Sequence, residues 1–330
     1  MQKLSRTTTY IETYSLRRDN GEAVFRANAT GFFMRLKNQI ILVTNWHVVT
    51  GLDPSDPKKL NGFAPEILKI SVINKRNMLT ELTIPLYTLE MKPRWHEHTD
   101  RYKVDLALIP LPTQLEDYFY FFDIESSLDE DPIEELAGND VFILGYPFSK
   151  DEFKACFNED GFHYLPIWKR GCIATEPSLK ISNQLILIDS LSRPGMSGSP
   201  IVTAKDTDVM TTKSEDTSEV FKRLSQGDHM ALMELDMNEI ENKRVKKFNF
   251  LGIYSGVIGS TSLSEIALGK CWHKNILYEA LKNHVIGEMP HHAPESPHVH
   301  YERFIKSFSG VLVEKNIDGQ ETNRIPIVDD

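Results

Sequence analysis

The chain has 330 residues, of which 41% are apolar and 25% are charged, a composition typical of a globular protein with a substantial core. The formal net charge of -10 argues against non-specific attraction to nucleic acid or to anionic membranes. No stretch approaches the roughly 18 apolar residues of a membrane span, and the N-terminal segment lacks the apolar core of a secretory signal. We therefore expect neither a nucleic-acid partner nor a membrane partner.

The first half of the chain contains many short apolar and β-branched segments separated by polar turns, a pattern that predicts strands. Further segments of this kind continue to about residue 254. Many short strands with few helical stretches favour an all-β sandwich or a pair of barrels. The predicted strands cover 23–25, 31–34, 40–44, 67–73, 81–87, 106–109, 141–144, 171–174, 185–188, 201–203 and 250–254.

The second half has two regions that break this pattern. Residues 204–249 are strongly charged, include a helix-like stretch at 231–247, and are too long for a hairpin loop, so they are predicted to be a surface insertion. Residues 272–285 have the apolar spacing of a closing helix. Residues 290–300 are rich in Pro and His and resemble a linker, and the tail from residue 301 is either a short strand pair or a partner-binding extension.

The three cysteines, Cys156, Cys172 and Cys271, are scattered along the chain. Their odd number does not fit a disulfide framework, and their spacing does not fit a metal site. We expect buried thiols in a reducing compartment, which favours a cytoplasmic protein.

The sharpest local motif surrounds Ser197, in the sequence Arg-Pro-Gly-Met-Ser-Gly-Ser-Pro. Glycine allows backbone conformations that other residues resist, and it leaves room for a substrate carbonyl beside the serine. In such a turn, the N–H groups of Gly195 and Ser197 could converge and stabilise an oxyanion, a contribution worth roughly 3–4 kcal/mol per donor. The alternative is an ordinary turn rich in Gly, Ser and Pro.

A serine nucleophile needs a base, and the base needs a group that orients it. His47 is the distinctive histidine, because it follows an apolar strand and precedes Val48 and Val49. Asp105 opens the apolar run Leu-Ala-Leu-Ile, where a carboxylate is costly to bury without a partner. Taken separately, His47 could be a core histidine and Asp105 an exposed residue at a strand edge. Asp100 is the nearest competitor of Asp105.

Three segments occur in the order His, Asp, Ser. Residues 44–49 (TNWHVV), 104–108 (VDLAL) and 194–200 (PGMSGSP) resemble the T-N-x-H-V-V, D-L-A-L and P-G-x-S-G-[GS]-P motifs of chymotrypsin-like serine peptidases. The resemblance is greatest to their disulfide-free bacterial branch, which includes the HtrA-type enzymes.

This resemblance implies two antiparallel β-barrels with a closing C-terminal helix. The peptidase domain would span 1–289, with barrel one at about 1–125 and barrel two at about 126–289, followed by a linker and tail at 290–330. Catalysis would use His47, Asp105 and Ser197, with Gly195 and Ser197 forming the oxyanion hole. A serine endopeptidase of this type needs no metal or other cofactor and acts on a protein or peptide substrate.

The resemblance also suggests substrate-binding residues. Tyr254, Ser255 and Gly256 match the strand that pairs with bound peptide in relatives. Leu191 matches the floor of the pocket, and an uncharged floor implies an apolar or small residue before the scissile bond. No peptide-binding module follows the peptidase segment, unlike in HtrA-type enzymes. We hypothesise that the charged insertion or a regulatory protein partner gates activity.

Two alternatives to an endopeptidase remain open at this point. One is a non-catalytic binding module that keeps the peptidase fold, and the other is an esterase, which would use the same chemistry. A zinc site could be considered where histidines cluster, at His291, His292, His298 and His300, but a histidine-rich linker is the preferred interpretation. His96 and His98 with Asp100 are interpreted as solvated loop residues.

Overall fold

The computed structural model describes residues 2–36, 38–54, 56–60, 64–101, 103–123, 133–152, 165–178, 184–190, 193–258, 268–293, 296–307, 310–316 and 320–327. Most of the secondary structure is β, in two large sheets that are almost entirely antiparallel. The prediction of an all-β chain with two antiparallel sheets is therefore confirmed.

The first sheet is built mainly from the N-terminal part of the chain. Its strand order is β17-β8-β9-β3-β2-β1-β6-β7-β18-β19, and β10 pairs with β2 in parallel. The strands are β1 (Thr8–Leu16), β2 (Ala23–Leu36), β3 (Gln39–Thr44), β6 (Ile67–Ile73), β7 (Leu79–Pro85), β8 (His96–Glu97), β9 (Ala107–Leu111), β10 (Phe122–Asp123), β17 (Val285–Ile286), β18 (Val311–Lys315) and β19 (Glu321–Pro326). A separate pair consists of β4 (Leu52–Asp53) and β5 (Asp56–Leu60).

The second sheet contains six strands in the order β11-β12-β13-β16-β15-β14, and β14 pairs back with β11. These are β11 (Asp140–Gly145), β12 (Ile167–Ile173), β13 (Leu185–Asp189), β14 (Pro200–Thr212), β15 (Ile240–Val257) and β16 (Leu268–His273). The helices are α1 (Trp46–Thr50), α2 (Glu215–Ser225), α3 (Lys274–Lys282) and α4 (Val299–Ser307). Short 3-10 helices occur at Leu4–Arg6, Thr113–Asp117, His229–Glu234 and Met237–Glu239.

Residues 29–34 of β2 and 40–44 of β3 are buried on both faces of the first sheet. Alternate side chains point to opposite faces of a strand. Phe33 and Leu42 therefore enter the core of the first sheet. Phe32 and Val43 enter a second core, which includes Phe250 of β15 and apolar residues of α3. The double burial explains why these segments read as continuous apolar runs.

Helix α3 covers this second core. Its apolar residues Ile276, Leu277, Ala280 and Leu281 are all buried. The side chain of His273 caps the helix by accepting a hydrogen bond from the N–H of Asn275. The predicted helix at 272–285 thus forms over a shorter range, and the residues after it return to the first sheet as β17.

The C-terminal residues differ from the prediction of a linker and tail at 290–330. Helix α4 buries Tyr301, and β18 pairs with β7 of the first sheet. The compositional signal was misleading because a few buried side chains, including Leu312 and Ile327, are enough to hold the segment in the core. Strand β17 pairs with β8, so residues 285–286 also belong to the first sheet.

Compactness divides the chain into two units, Met1–Thr203 with Phe250–Asp330, and Ala204–Asn249. The smaller unit has the range of the predicted insertion. The helix expected at 231–247 is wrong, because 3-10 turns are followed by the extended strand β15, whose first residues are charged and mostly exposed. Helix α2 begins at a Ser214 cap, and Arg223 holds Asp228 and Glu234 by ion pairs of 2.7 Å each.

In the described ranges, no helix is both long enough and apolar enough to cross a membrane.

Candidate active site

The loop that carries Ser197 links β13 to β14 and depends on two glycines with positive φ. Gly195 has φ +92 and Gly198 has φ +84, a region that residues with side chains rarely adopt. A Cβ atom on Gly195 would lie 2.3 Å from the carbonyl oxygen of Tyr146. On Gly198 it would lie 2.1 Å from that of Thr30. Glycine is therefore required at both positions by conformation and by space.

Backbone hydrogen bonds hold this loop against neighbouring strands. The N–H of Gly198 donates to Tyr254 O at 3.0 Å, and the N–H of Tyr254 donates to Ser199 O at 2.9 Å. On the other side, the N–H of Thr30 donates to Ser197 O at 2.8 Å. The serine loop is thus fixed between β2 and β15.

The N–H groups of Gly195 and Ser197 are available as donors. Within the described ranges, neither donates to a protein acceptor. Both residues line a cavity of about 280 Å³, and His47 lies in the same lining. An anionic oxygen in this cavity could accept both hydrogen bonds.

His47 is placed by the short helix α1, which follows β3 directly. Val48 and Val49 are buried and hold the helix in place, while the imidazole remains 22% exposed. The imidazole Nδ1 lies 2.8 Å from Asp105 Oδ2, and the backbone N–H of His47 donates to Asp105 Oδ1 at 3.0 Å. A carboxylate only accepts, so Nδ1 carries the hydrogen and Nε2 is left as the basic nitrogen.

Asp105 lies just before β9 and is 5% exposed. The hydroxyl of Ser255 donates to its Oδ2 at 2.5 Å, and the side-chain amide of Asn45 donates to its backbone carbonyl at 2.8 Å. Burial by itself raises the pKa of Asp105. The charge of His47 and the hydrogen bonds from His47 and Ser255 outweigh it, so the pKa lies below the ordinary value.

Asp100 contacts different groups from Asp105. Its carboxylate pairs with Lys103 at 3.1 Å, and its N–H donates to His98 Nδ1 at 3.0 Å. Of the two aspartates considered from the sequence, the structure brings Asp105 to His47.

His47 and Ser197 line the same cavity, but no direct hydrogen bond joins their side chains in the described structure. Catalytic hydrogen bonds are often long before substrate binds and tighten in the complex. The arrangement therefore brings an imidazole, a buried carboxylate and a hydroxyl into one small region, and the imidazole and the hydroxyl do not hydrogen-bond to each other directly.

The predicted substrate-binding residues have different surroundings. The ring of Tyr254 is fully buried in the core of the second sheet, beside Leu251 and Cys271. The hydroxyl of Ser255 donates to Asp105. Gly256 has φ +75 with open space around it, at a point where the register of β15 and β16 shifts. Leu191 lies outside the described residues.

Thr30 and Asn45 contact residues of the site, although the sequence assigned no role to either of them. Asn45 belongs to the T-N-x-H-V-V segment, so its position was a usable signal. Ser255 was predicted to bind substrate, whereas its hydroxyl bonds to Asp105. The alternation of residues along a strand does not show which group the hydroxyl of Ser255 contacts.

Two larger cavities lie elsewhere. One of about 900 Å³ is lined by apolar residues such as Leu82, Ile84 and Leu111, and one of about 570 Å³ is lined by Trp46, Leu52 and neighbouring residues. Neither contains the serine loop, so cavity size does not identify the chemistry here.

The remaining candidate groups have local partners. His298 pairs with Glu66 at 3.0 Å, and the rings of His291 and His292 contact each other. Among the described residues, no group of His, Cys, Asp and Glu has the geometry of a metal site. Cys172 and Cys271 are free thiols, and burial raises the pKa of Cys271 far above the ordinary value. Cys156 lies outside the described residues.

A scan against protein-family models finds no match for this chain, and a search of curated proteins finds no significant relative.

Proposed function

We propose that the chain is a serine endopeptidase of the chymotrypsin-like type, with two β-barrels and with His47, Asp105 and Ser197 as its catalytic triad. The observation that carries the proposal is one cavity lined by His47, Ser197 and Gly195, with two N–H groups available for an oxyanion. The hydrogen-bonded Asp105–His47 pair behind it supports the proposal further.

In the proposed mechanism, Nε2 of His47 removes the hydroxyl proton of Ser197 as the oxygen attacks a peptide carbonyl. The N–H groups of Gly195 and Ser197 bind the resulting oxyanion, and His47 then protonates the leaving amine. Water repeats the sequence on the acyl-enzyme and releases the acid. Asp105 keeps Nδ1 protonated throughout and stabilises the charged imidazole.

The proposed substrate is a protein or peptide, and the space beside Gly256 would allow an extended chain to approach β15. The free thiols of Cys172 and Cys271 favour a cytoplasmic location. No further candidate function is favoured by a specific observation. The binding module and the esterase are outcomes that the following experiment separates.

The test is labelling by a fluorophosphonate probe, which requires an activated serine. We expect the wild-type chain to be labelled and Ser197→Ala to lose labelling. The labelling rate of Asp105→Asn should be lower by roughly 10³–10⁴-fold, because the proton of His47 would no longer be held on Nδ1. Asp100→Asn is the matched control and should react at the wild-type rate. An absence of wild-type labelling would favour the binding module, and cleavage of esters but of no peptide in a library would favour the esterase.

A further inference from the structure

Thr30 lies in β2, fully buried, where this strand passes the serine loop. Its hydroxyl donates to Gly195 O at 2.8 Å and accepts from the N–H of Tyr146 at 3.0 Å. Its own N–H donates to Ser197 O at 2.8 Å, and its carbonyl accepts from the hydroxyl of Thr44 at 2.9 Å. Four hydrogen bonds therefore meet at one residue.

The direction of the hydroxyl bond is fixed by chemistry. A backbone N–H can only donate, so Tyr146 occupies a lone pair of the Thr30 oxygen. The single hydroxyl hydrogen is then directed to the carbonyl of Gly195, which can only accept. A side chain held on both sides in this way has one orientation.

The carbonyls that Thr30 holds belong to the same two residues whose N–H groups are proposed to bind the oxyanion. At Gly195, φ is +92 and there is no side chain to restrict the backbone. Rotation of its peptide groups is therefore limited mainly by hydrogen bonds. The carbonyl of a residue shares its peptide plane with the N–H of the next residue, so the bond to Gly195 O fixes the peptide that joins Gly195 to Met196. This peptide lies between the two proposed donors, and holding it limits how the N–H groups of Gly195 and Ser197 can turn.

We infer that the hydroxyl of Thr30 is a positioning group that holds the peptide between Gly195 and Met196 so that the oxyanion donors on either side of it face the cavity. This inference rests on the proposed function. Thr30 does not touch the reacting atoms, and it acts through Gly195. If Thr30 had only a structural role, its hydrogen bonds would join β2 to the serine loop without affecting the oxyanion donors.

The test is Thr30→Val, which removes the hydroxyl and keeps the side-chain shape. With p-nitrophenyl acetate as substrate, we expect kcat to fall by roughly 10²-fold and KM to stay within about twofold, since only transition-state stabilisation is lost. The pH dependence of kcat/KM should not change, because the His47–Asp105 pair is untouched. Thr30→Ser should restore kcat to within about fivefold.

The matched control is Thr9→Val. Thr9 is a buried threonine of β1 whose hydroxyl donates to Ser71 O of β6 at 3.0 Å rather than to the serine loop. It should keep wild-type kcat while losing a comparable hydrogen bond. If Thr30→Val does not fold by circular dichroism, Thr30→Ala removes the same hydroxyl without adding volume and is measured in its place.

Three results would overturn the inference: a kcat for Thr30→Val within about threefold of Thr9→Val, a loss that serine does not rescue, or a shifted pH profile. The first would show that the hydroxyl is dispensable, the second that packing matters instead, and the third that the effect passes through His47. A wild-type chain with neither turnover nor fluorophosphonate labelling would overturn the proposed function as well.

Discussion

The carboxylate of Asp105 accepts three hydrogen bonds, from the imidazole and the backbone of His47 and from the hydroxyl of Ser255. A buried carboxylate without such donors would be neutralised rather than charged. Because every one of these groups donates, the arrangement favours ionised Asp105, which is the form that orients and stabilises a protonated histidine. Ser255 therefore contacts the same carboxylate oxygen as the His47 imidazole, and in the proposed mechanism it would act on His47 through Asp105.

A second buried carboxylate, Glu97, lies behind α1. Its Oε1 accepts from the indole N–H groups of Trp46 at 3.1 Å and Trp95 at 2.8 Å, while Arg101 Nε lies 3.4 Å from Oε2. Trp46 precedes His47 in the chain, so Glu97 anchors the start of the helix that carries the base. Burial outweighs these contacts, and the pKa of Glu97 is raised.

The raised pKa of Glu97 gives a stability prediction with a definite sign. In the unfolded chain a glutamate ionises near pH 4.3, whereas the folded protein resists its ionisation. Glu97 thus costs stability as pH rises above that value. Glu97→Gln keeps an oxygen acceptor for the two indoles without this cost. The free energy of unfolding of Glu97→Gln minus that of wild type should therefore increase from pH 4 to pH 7 in urea titrations.

Glu135 is the control with the opposite sign. Burial raises its pKa, but hydrogen bonds from His273 and Lys274 outweigh burial, and the pKa lies below the ordinary value. Its stabilising contribution is present above the unfolded pKa and is lost as pH falls. Glu135→Gln should therefore lose stability relative to wild type from pH 4 to pH 7. Equal pH trends for the two variants would contradict the assignment.

At the scale of elements, the β18–β19 pair extends the first sheet beyond β7, and α4 places Tyr301 in the core of that sheet. The hydroxyl of Tyr301 donates to Tyr87 O at 2.9 Å and accepts from Tyr87 N–H at 3.0 Å, all within the core. This side chain therefore satisfies both backbone groups of one buried residue.

Tyr301→Phe would leave both backbone groups of Tyr87 without a partner. Unsatisfied buried polar groups cost about 1–3 kcal/mol, so we expect the free energy of unfolding to fall by about that amount in urea titrations. Ser307→Ala, on the exposed end of α4, is the control and should stay within about 0.5 kcal/mol. A Tyr301→Phe variant as stable as the control would mean that the two hydrogen bonds to Tyr87 contribute little to stability.

Elements with strong local signals were predictable from the sequence. β6 forms over the predicted residues, and the glycines around Ser197 adopt the positive φ that their spacing suggests. The C-terminal segment was not, because its Pro and His residues indicate a linker while its burial depends on distant partners such as Tyr87. The contact of Ser255 with Asp105 joins residues 150 positions apart and needs the folded sheets to be seen.

At the scale of the whole molecule, the insertion Ala204–Asn249 enters and leaves through β14 and β15. β14 begins three residues after Ser197, and β15 carries Tyr254 and Ser255. The strands that leave the candidate site are therefore the ones that continue into the insertion. This covalent connection through β14 and β15 supports the hypothesis that the insertion gates activity.

In a deletion variant, an Asn-Gly turn would replace Ala204–Asn249 and join Thr203 to Phe250. Both junction residues are buried, and Thr203 pairs with Val141, so the larger unit should fold and unfold in one cooperative transition. If the insertion gates activity, the fluorophosphonate labelling rate of this variant should differ from wild type by more than about threefold. An unchanged rate in a folded variant would reject gating and leave the catalytic proposal intact, because none of the proposed catalytic residues lies in the deleted segment.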